Sequence, residues 1–180
     1  MNTLKILTII IAILFVIGCE PENKQQILQD IKDKDFLQES FKVTYYYSDS
    51  AIMKAKITTP HLVEKKVGQD IQTEANRGIK IEFYTPSGAI ESYLVADKAR
   101  LYNEKSIGEA SGNVIVYNDK QEKLETEKLI WEQHKNILHT NSFVKITTPK
   151  EVIFGEGLES NTTFTKYKIF KIKGTLTIQE

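Results

Sequence analysis

Ile79-Lys80-Ile81-Glu82-Phe83-Tyr84 is the stretch that decides the fold class. Apolar and charged residues alternate through it, so an extended chain turns Ile79, Ile81 and Phe83 to one side and Lys80 and Glu82 to the other. Pro86-Ser87-Gly88 follows and reads as a turn. Upstream, Phe41-Lys42-Val43-Thr44-Tyr45-Tyr46-Tyr47 alternates in the same way, with Phe41, Val43, Tyr45 and Tyr47 on one face. Downstream come runs at 92–101, 113–117, 123–131, 142–147, 152–158 and 167–178, separated by turn chemistry such as Asn118-Asp119-Lys120. They are short and rich in β-branched and aromatic residues, and no helical periodicity intervenes. The expectation is an all-β domain over residues 41–180, a twisted antiparallel jelly roll of two facing sheets.

A weak internal repeat runs through this body. Ser111-Gly112-Asn113-Val114-Ile115-Val116 stands about 30 residues before Asn141-Ser142-Phe143-Val144-Lys145-Ile146, and Ala96-Asp97-Lys98-Ala99 stands as far before Thr126-Glu127-Lys128-Leu129. Two strands per repeat cannot cover their own apolar face, so neighbouring repeats must stack. The inward set reads as Ile81, Phe83, Val114, Val116, Leu124, Ile146, Val152, Phe154 and Ile169, with Lys80, Glu82, Lys123, Glu125, Glu127, Lys171 and Lys173 facing water. At Phe143-Val144 both sides are apolar and alternation does not choose between them. The inner faces can mesh or stand apart around an apolar ligand, and the pattern allows both.

The N-terminus carries a second signal. Lys5 precedes an apolar run from Ile6 to Ile17, which ends at Gly18-Cys19. That run is shorter than the roughly 20 residues a membrane-crossing helix needs, so it reads as a secretory signal. Val16-Ile17-Gly18-Cys19 resembles a bacterial lipobox, which makes Cys19 the lipidation site. The expected organisation is therefore a signal peptide at 1–18, a lipidated N-terminus and tether at 19–40, and the β-domain at 41–180. Several acyl chains on one residue anchor durably, each buried methylene contributing about 0.8 kcal/mol.

Composition removes other classes. Lys+Arg 24 against Asp+Glu 24 leaves zero net charge, without the basic excess of a nucleic-acid binder. Cys19 is the only cysteine, so the chain makes no internal disulfide, and no Cys/His spacing suits a metal. Nucleophile-elbow, P-loop, zinc-protease and dinucleotide signatures are absent, and no cofactor is expected. Asp97 and Glu127 look like exposed strand residues without a base, nucleophile or metal beside them. The chain reads as a binding protein.

The succession of elements resembles the LptC family of lipopolysaccharide exporters. The resemblance is carried by Ile79 to Tyr84, then Tyr93-Leu94-Val95-Ala96-Asp97-Lys98-Ala99-Arg100-Leu101-Tyr102, then Ser111 to Val116, Leu124-Glu125-Thr126-Glu127, Phe143 to Ile146 and Gly155-Glu156-Gly157-Leu158-Glu159-Ser160. It spans about residues 41 to 178. The motifs are loose individually; their order together with one N-terminal anchor is more specific. The chain departs from the better-known pattern in that a lipobox stands where those relatives keep an uncleaved transmembrane helix, which puts that helix's contact with the transporter in doubt.

The resemblance implies a chain on the periplasmic face of the inner membrane of a Gram-negative bacterium, held there by its lipid. Its interior would shelter the acyl chains of lipopolysaccharide. One end would dock on the membrane subunits of the export ABC transporter and the other on an LptA-like periplasmic bridge protein. Phe83, Tyr93, Val95, Val116, Ile146 and Phe154 are the expected lipid contacts. Tyr167, Ile169, Lys171 and Lys173 on the last strand form one expected docking edge, and residues 41–47 lie at or near the other. The alternatives are a closed lipocalin-like barrel for a small ligand and a structural lipoprotein with a filled core.

Overall fold

The computed structural model describes residues 35–177, so the signal peptide, Cys19 and most of the expected tether lie outside the described residues. Eleven strands follow one another: β1 (Phe36–Asp49), β2 (Ile52–Val67), β3 (Asp70–Ala75), β4 (Ile79–Tyr84), β5 (Ile90–Ala96), β6 (Lys98–Tyr102), β7 (Ile107–Asn118), β8 (Lys123–Glu132), β9 (Ile137–Thr147), β10 (Glu151–Asn161) and β11 (Tyr167–Thr177). The domain is all-β, and every strand pairing is antiparallel. β1 starts at Phe36, ahead of the boundary expected at residue 41. The run expected at 92–101 is two strands, broken at Asp97.

The strands form one continuous antiparallel sheet, consistent with the expected all-β jelly-roll-like fold. Long β2 pairs with β4 through residues 55–58 and with β3 through residues 63–67. Long β7 pairs with β6 through residues 107–111 and with β5 through residues 115–118. β2, β4, β5, β7, β6 and β3 therefore close a ring, and the sheet continues from β7 through β8, β9 and β10 to β11. Each long strand contributes one half to each of two arms.

The arms diverge along a line of bulges, which bend strands by adding residues that find no partner. The register breaks between Ser111 and Val114 in β7, between Thr126 and Ile130 in β8, and between Glu156 and Leu158 in β10. Hydrogen bonds carry the same corner across the ring. Thr59 Oγ1 donates to the Gly78 carbonyl at 2.8 Å, Gly78 N–H to the Asp97 carbonyl at 2.7 Å, and Asp97 N–H to the Gly112 carbonyl at 2.9 Å. Asn113 Nδ2 then donates to the Asp97 carboxylate at 2.7 Å. Asp97 is thus a corner residue. Gly112 takes φ +76°, and a Cβ there would meet Asp97 Oδ2 at 2.9 Å, so the corner needs glycine both for its backbone and for its space.

Solvent faces are closed by cross-strand ladders. On one arm Lys65, Glu74, Arg100, Glu109 and Lys128 alternate in charge from β2 to β8: Lys65 to Glu74 at 3.3 Å, Arg100 to Glu74 at 2.9 Å and Lys128 to Glu109 at 2.8 Å. On the other arm Glu82 meets Lys80 at 2.8 Å and Lys56 at 3.4 Å, and Glu125 meets Lys123 and Lys145 at 3.2 Å each. Individually such pairs contribute little. Together they fix which side of each strand is wet.

Part of the interior along β7–β11 is filled. Val114, Val116, Leu124, Leu138, Val144, Ile146 and Leu158 are fully buried, each worth roughly 1.5–3 kcal/mol relative to exposure. Phe164, in the turn between β10 and β11, closes this end. It is 0% exposed and stacks on Tyr167 with ring centroids 4.8 Å apart. Asn118 Nδ2 donates to its carbonyl at 2.8 Å, and Ser92 Oγ donates to the Thr162 carbonyl at 3.2 Å. These two bonds tie the turn after β10 to the ends of β7 and β5.

Candidate functional site: a cavity between the arms

On the other side of the filled core the arms stand apart around a cavity of about 360 Å³. Its wall is built from alternate residues of eight strands. Ile57, Ala75, Ile81, Phe83, Leu94 and Leu101 come from β2 to β6, and Ala110, Leu129, Trp131 and Leu138 from β7, β8 and β9. Tyr45, Tyr46 and Tyr47 of β1 also line it, Tyr45 and Tyr46 being exposed, which places a mouth beside this edge strand. Trp131 bridges the arms. Its indole meets Phe83 edge-on at 5.6 Å and Tyr47 edge-on at 5.5 Å. Such aromatic pairs add about 0.5–1.5 kcal/mol beyond the area they bury.

The wall is predominantly apolar and suits hydrocarbon, with Glu64, Arg100, Asn103, Glu109 and Gln133 also bordering the cavity. Several titratable groups with displaced pKa values lie on the cross-strand ladders, while burial against the core raises that of Tyr167. Burial works against the Glu74 carboxylate, yet hydrogen bonds from Lys65 and Asn76 and the charges of Lys65 and Arg100 outweigh it and hold the carboxyl below its ordinary value. The hydrogen bond from Lys80 does the same for Glu82, with Tyr84 and Lys56 adding to it against partial burial. Among the described residues no group of three or more His, Cys, Asp or Glu could hold a metal ion, and no helix is long and apolar enough to cross a membrane.

The expected lipid contacts separate into three sets. Phe83 is in the cavity wall, 2% exposed. Val116 and Ile146 point inward but sit in the filled core away from the cavity. Tyr93, Val95 and Phe154 do not face the interior. On β5 the buried residues are Ser92, Leu94 and Ala96, while Tyr93 stacks on Tyr117 at 4.9 Å with Lys80 above its ring. On β10 it is Ile153 that packs on the core, and Phe154 stacks on exposed Phe143 at 6.2 Å. The reason is shared: Tyr93-Leu94-Val95 and Val152-Ile153-Phe154 are apolar on both faces, so alternation leaves their phase open by one residue. Val152 was misplaced inward for the same cause.

β11 pairs only with β10, and β1 only with β2, so each presents one free edge. Of the residues expected at the β11 edge, Tyr167 and Ile169 pack their side chains on the core. Lys171 and Lys173 are exposed, 3.9 and 3.4 Å from Glu156. Beyond Ile169 the strand leaves the core, with Phe170 51% and Ile172 64% exposed. β1 is held partly by Glu39, whose carboxylate lies 2.6 Å from His61 Nε2, and by Phe41 against the His61 ring at 5.1 Å.

Sequence reasoning missed Trp131 and Tyr47 as wall residues. The available signal was that Trp131 is the chain's only tryptophan and alternates with Leu129; the bulge between Thr126 and Ile130 is what brings both to the side of Leu124 and Thr126.

The family model described as lipopolysaccharide-assembly, LptC-related, matches residues 5–175. The chain belongs to that family. No curated protein matches it. LptC-related proteins have a role in lipopolysaccharide transport as components of a transport system, which are not enzymes, and associate with the inner membrane on its periplasmic side in Gram-negative bacteria. Lipopolysaccharide and the transport system are thereby the general partners of this LptC-related chain.

Proposed function

We propose that this LptC-related chain accepts lipopolysaccharide from the membrane subunits of the export ABC transporter, shelters its acyl chains between the two arms, and hands it to an LptA-like bridge protein. The observation that carries this reading is the cavity lined by Ile81, Phe83, Leu94, Leu101 and Trp131, with a mouth beside Tyr45 and Tyr46. Two free strand edges, one at β1 and one at β11, support docking at both ends. A partner strand added to such an edge gains main-chain hydrogen bonds without a designed side-chain interface. Edge-to-edge stacking then prolongs the apolar interior, and lipid moves between like environments. The chain lacks a nucleotide-binding motif, so ATP hydrolysis by the transporter gives the direction. The lipobox ending at Cys19 supports attachment of the chain to the inner membrane through lipid on that residue.

The free edges disfavour a closed lipocalin-like barrel, and the cavity disfavours a core filled throughout. A photo-crosslinking residue in place of Phe83, with one in place of Tyr93 as the outward control, tests the reading in cells of the host. An adduct with lipopolysaccharide at position 83 and none at position 93 is the expected result. Silence at 83, or equal labelling at both, refutes transport through the cavity. Fatty-acid labelling that disappears in Cys19→Ser is the matching expectation for the anchor.

A further inference from the structure

The cavity has a defined shape as well as a volume. Its floor on one arm is a row of residues that stand level across successive strands. Ala75 on β3 pairs with Ala99 on β6, Ala99 with Ala110 on β7, and Ala110 with Leu129 on β8. At the other end Val63 of β2 pairs with Glu74, which puts Leu62 level with Ala75. All five residues of this row line the cavity. Three methyl side chains thus lie between two leucines, and the floor sinks between them into a trough that crosses the strands. The neighbouring row that lines the cavity is Thr73, Leu101, Gly108 and Trp131, where Leu101 and the indole bound the trough on one side. The corner at Asp97 and Gly112 bounds it on the other. At about 4.8 Å per strand, three alanines span about 14 Å, the length of an extended chain of about a dozen carbons. The volume agrees, because about 360 Å³ holds about as many methylene-sized groups at roughly 30 Å³ each.

We propose that the cavity takes one acyl chain of about 12 carbons at a time, laid across β3, β6 and β7, and that Ala75, Ala99 and Ala110 set that length. This rests on the reading of the cavity as an acyl site and deepens it: a lipid with several tails engages the protein through one of them, and the others lie outside this cavity. Methylenes beyond the end of the trough stay in water and add nothing to affinity. A leucine in place of the alanine at either end of the row raises the floor there and shortens the trough by one strand width.

Trp131 is the only tryptophan and lines the cavity, so its emission reports what enters. The full chain is titrated with octanoate, dodecanoate and hexadecanoate, each below its micelle concentration, and the titrations are repeated on Ala110→Leu and Ala75→Leu. The expected result is one dodecanoate bound per protein, with affinity about a hundredfold above octanoate, as four further buried methylenes imply. Hexadecanoate should gain nothing more. In each variant dodecanoate should fall to within a few-fold of octanoate, while octanoate keeps its own affinity. Affinity that climbs on through hexadecanoate, or more than one dodecanoate bound, overturns the single-chain fit. Variants that leave the series unchanged overturn the role of the alanines, and any of these results leaves the acyl site standing. Binding of none of the three overturns the acyl site as well. Should both variants fail to fold, the length series on the unaltered chain decides alone.

Discussion

Trp131 on β8 and Phe83 on β4 meet edge to face, with ring centroids 5.6 Å apart and planes at 88°, although their strands belong to opposite arms of the bent sheet. The contact holds the arms at the separation that leaves the cavity open. Phe83→Ala removes one side of it and enlarges a space already lacking partner atoms. The expected cost is about 3 kcal/mol, the lower end for such truncations, because Phe83 borders a void on one side. Urea unfolding followed by Trp131 emission measures it, and the native emission itself should change as the ring beside the indole is lost.

The corner should be sensitive to a single methyl group. Gly112 and Gly88 both have positive φ, +76° and +85°, but a Cβ at Gly88 meets open space whereas at Gly112 it meets Asp97 Oδ2 at 2.9 Å and Asp97 Cβ at 3.1 Å. Asp97 cannot swing aside without giving up the hydrogen bond from Asn113. Both alanine variants carry the backbone strain of about 1–2 kcal/mol. Gly112→Ala should exceed Gly88→Ala by about a further 1–2 kcal/mol through crowding. Thermal unfolding of the two variants side by side gives the difference.

Acid should weaken the outer ladder at Glu82. Its carboxyl is held below the ordinary value, first by the hydrogen bond from Lys80. A depressed folded-state pKa contributes stability that is complete above the ordinary glutamate range and disappears as the pH falls through the folded value. Glu82→Gln should accordingly be less stable than the unaltered chain near neutrality, with the gap closing as the medium becomes acidic. A gap that stays constant with pH would show that the charge of Glu82 is not what stabilises the ladder.

Docking at β11 should depend on the main chain. A proline scan across residues 168–172, where the register with β10 is regular, removes N–H groups that alternately point to β10 and to the free edge. Pull-down of an LptA-like partner should fall at the edge-facing positions with little change in melting temperature. At positions bonded to β10 the melting temperature should fall instead. A scan without that alternation argues for a side-chain interface built on Phe170 and Ile172.

Much of this was legible from residue order. The Ile79–Tyr84 run has opposite polarity on its two faces, and its inward set was read in the correct phase. The repeat had a structural cause: Asp97, Glu127 and Gly157 stand at like positions of successive strand pairs, on or beside the corner line, so the period measures the distance from one bend to the next. The phase failed at Tyr93-Leu94-Val95 and at Val152-Ile153-Phe154, where both faces are apolar. There the outward residues find their own partners, Tyr93 on Tyr117 and Phe154 on Phe143.

By itself, the sequence determined that the chain extends and pairs and which charged residues face water, because these follow from polarity alternating along a local stretch of chain. Only the tertiary structure decided that one part of the interior is packed solid under Phe164 while another stays open beside Trp131. Whether two inner surfaces touch depends on the angle at the corner and on side chains arriving from opposite arms. No local pattern encodes that distance.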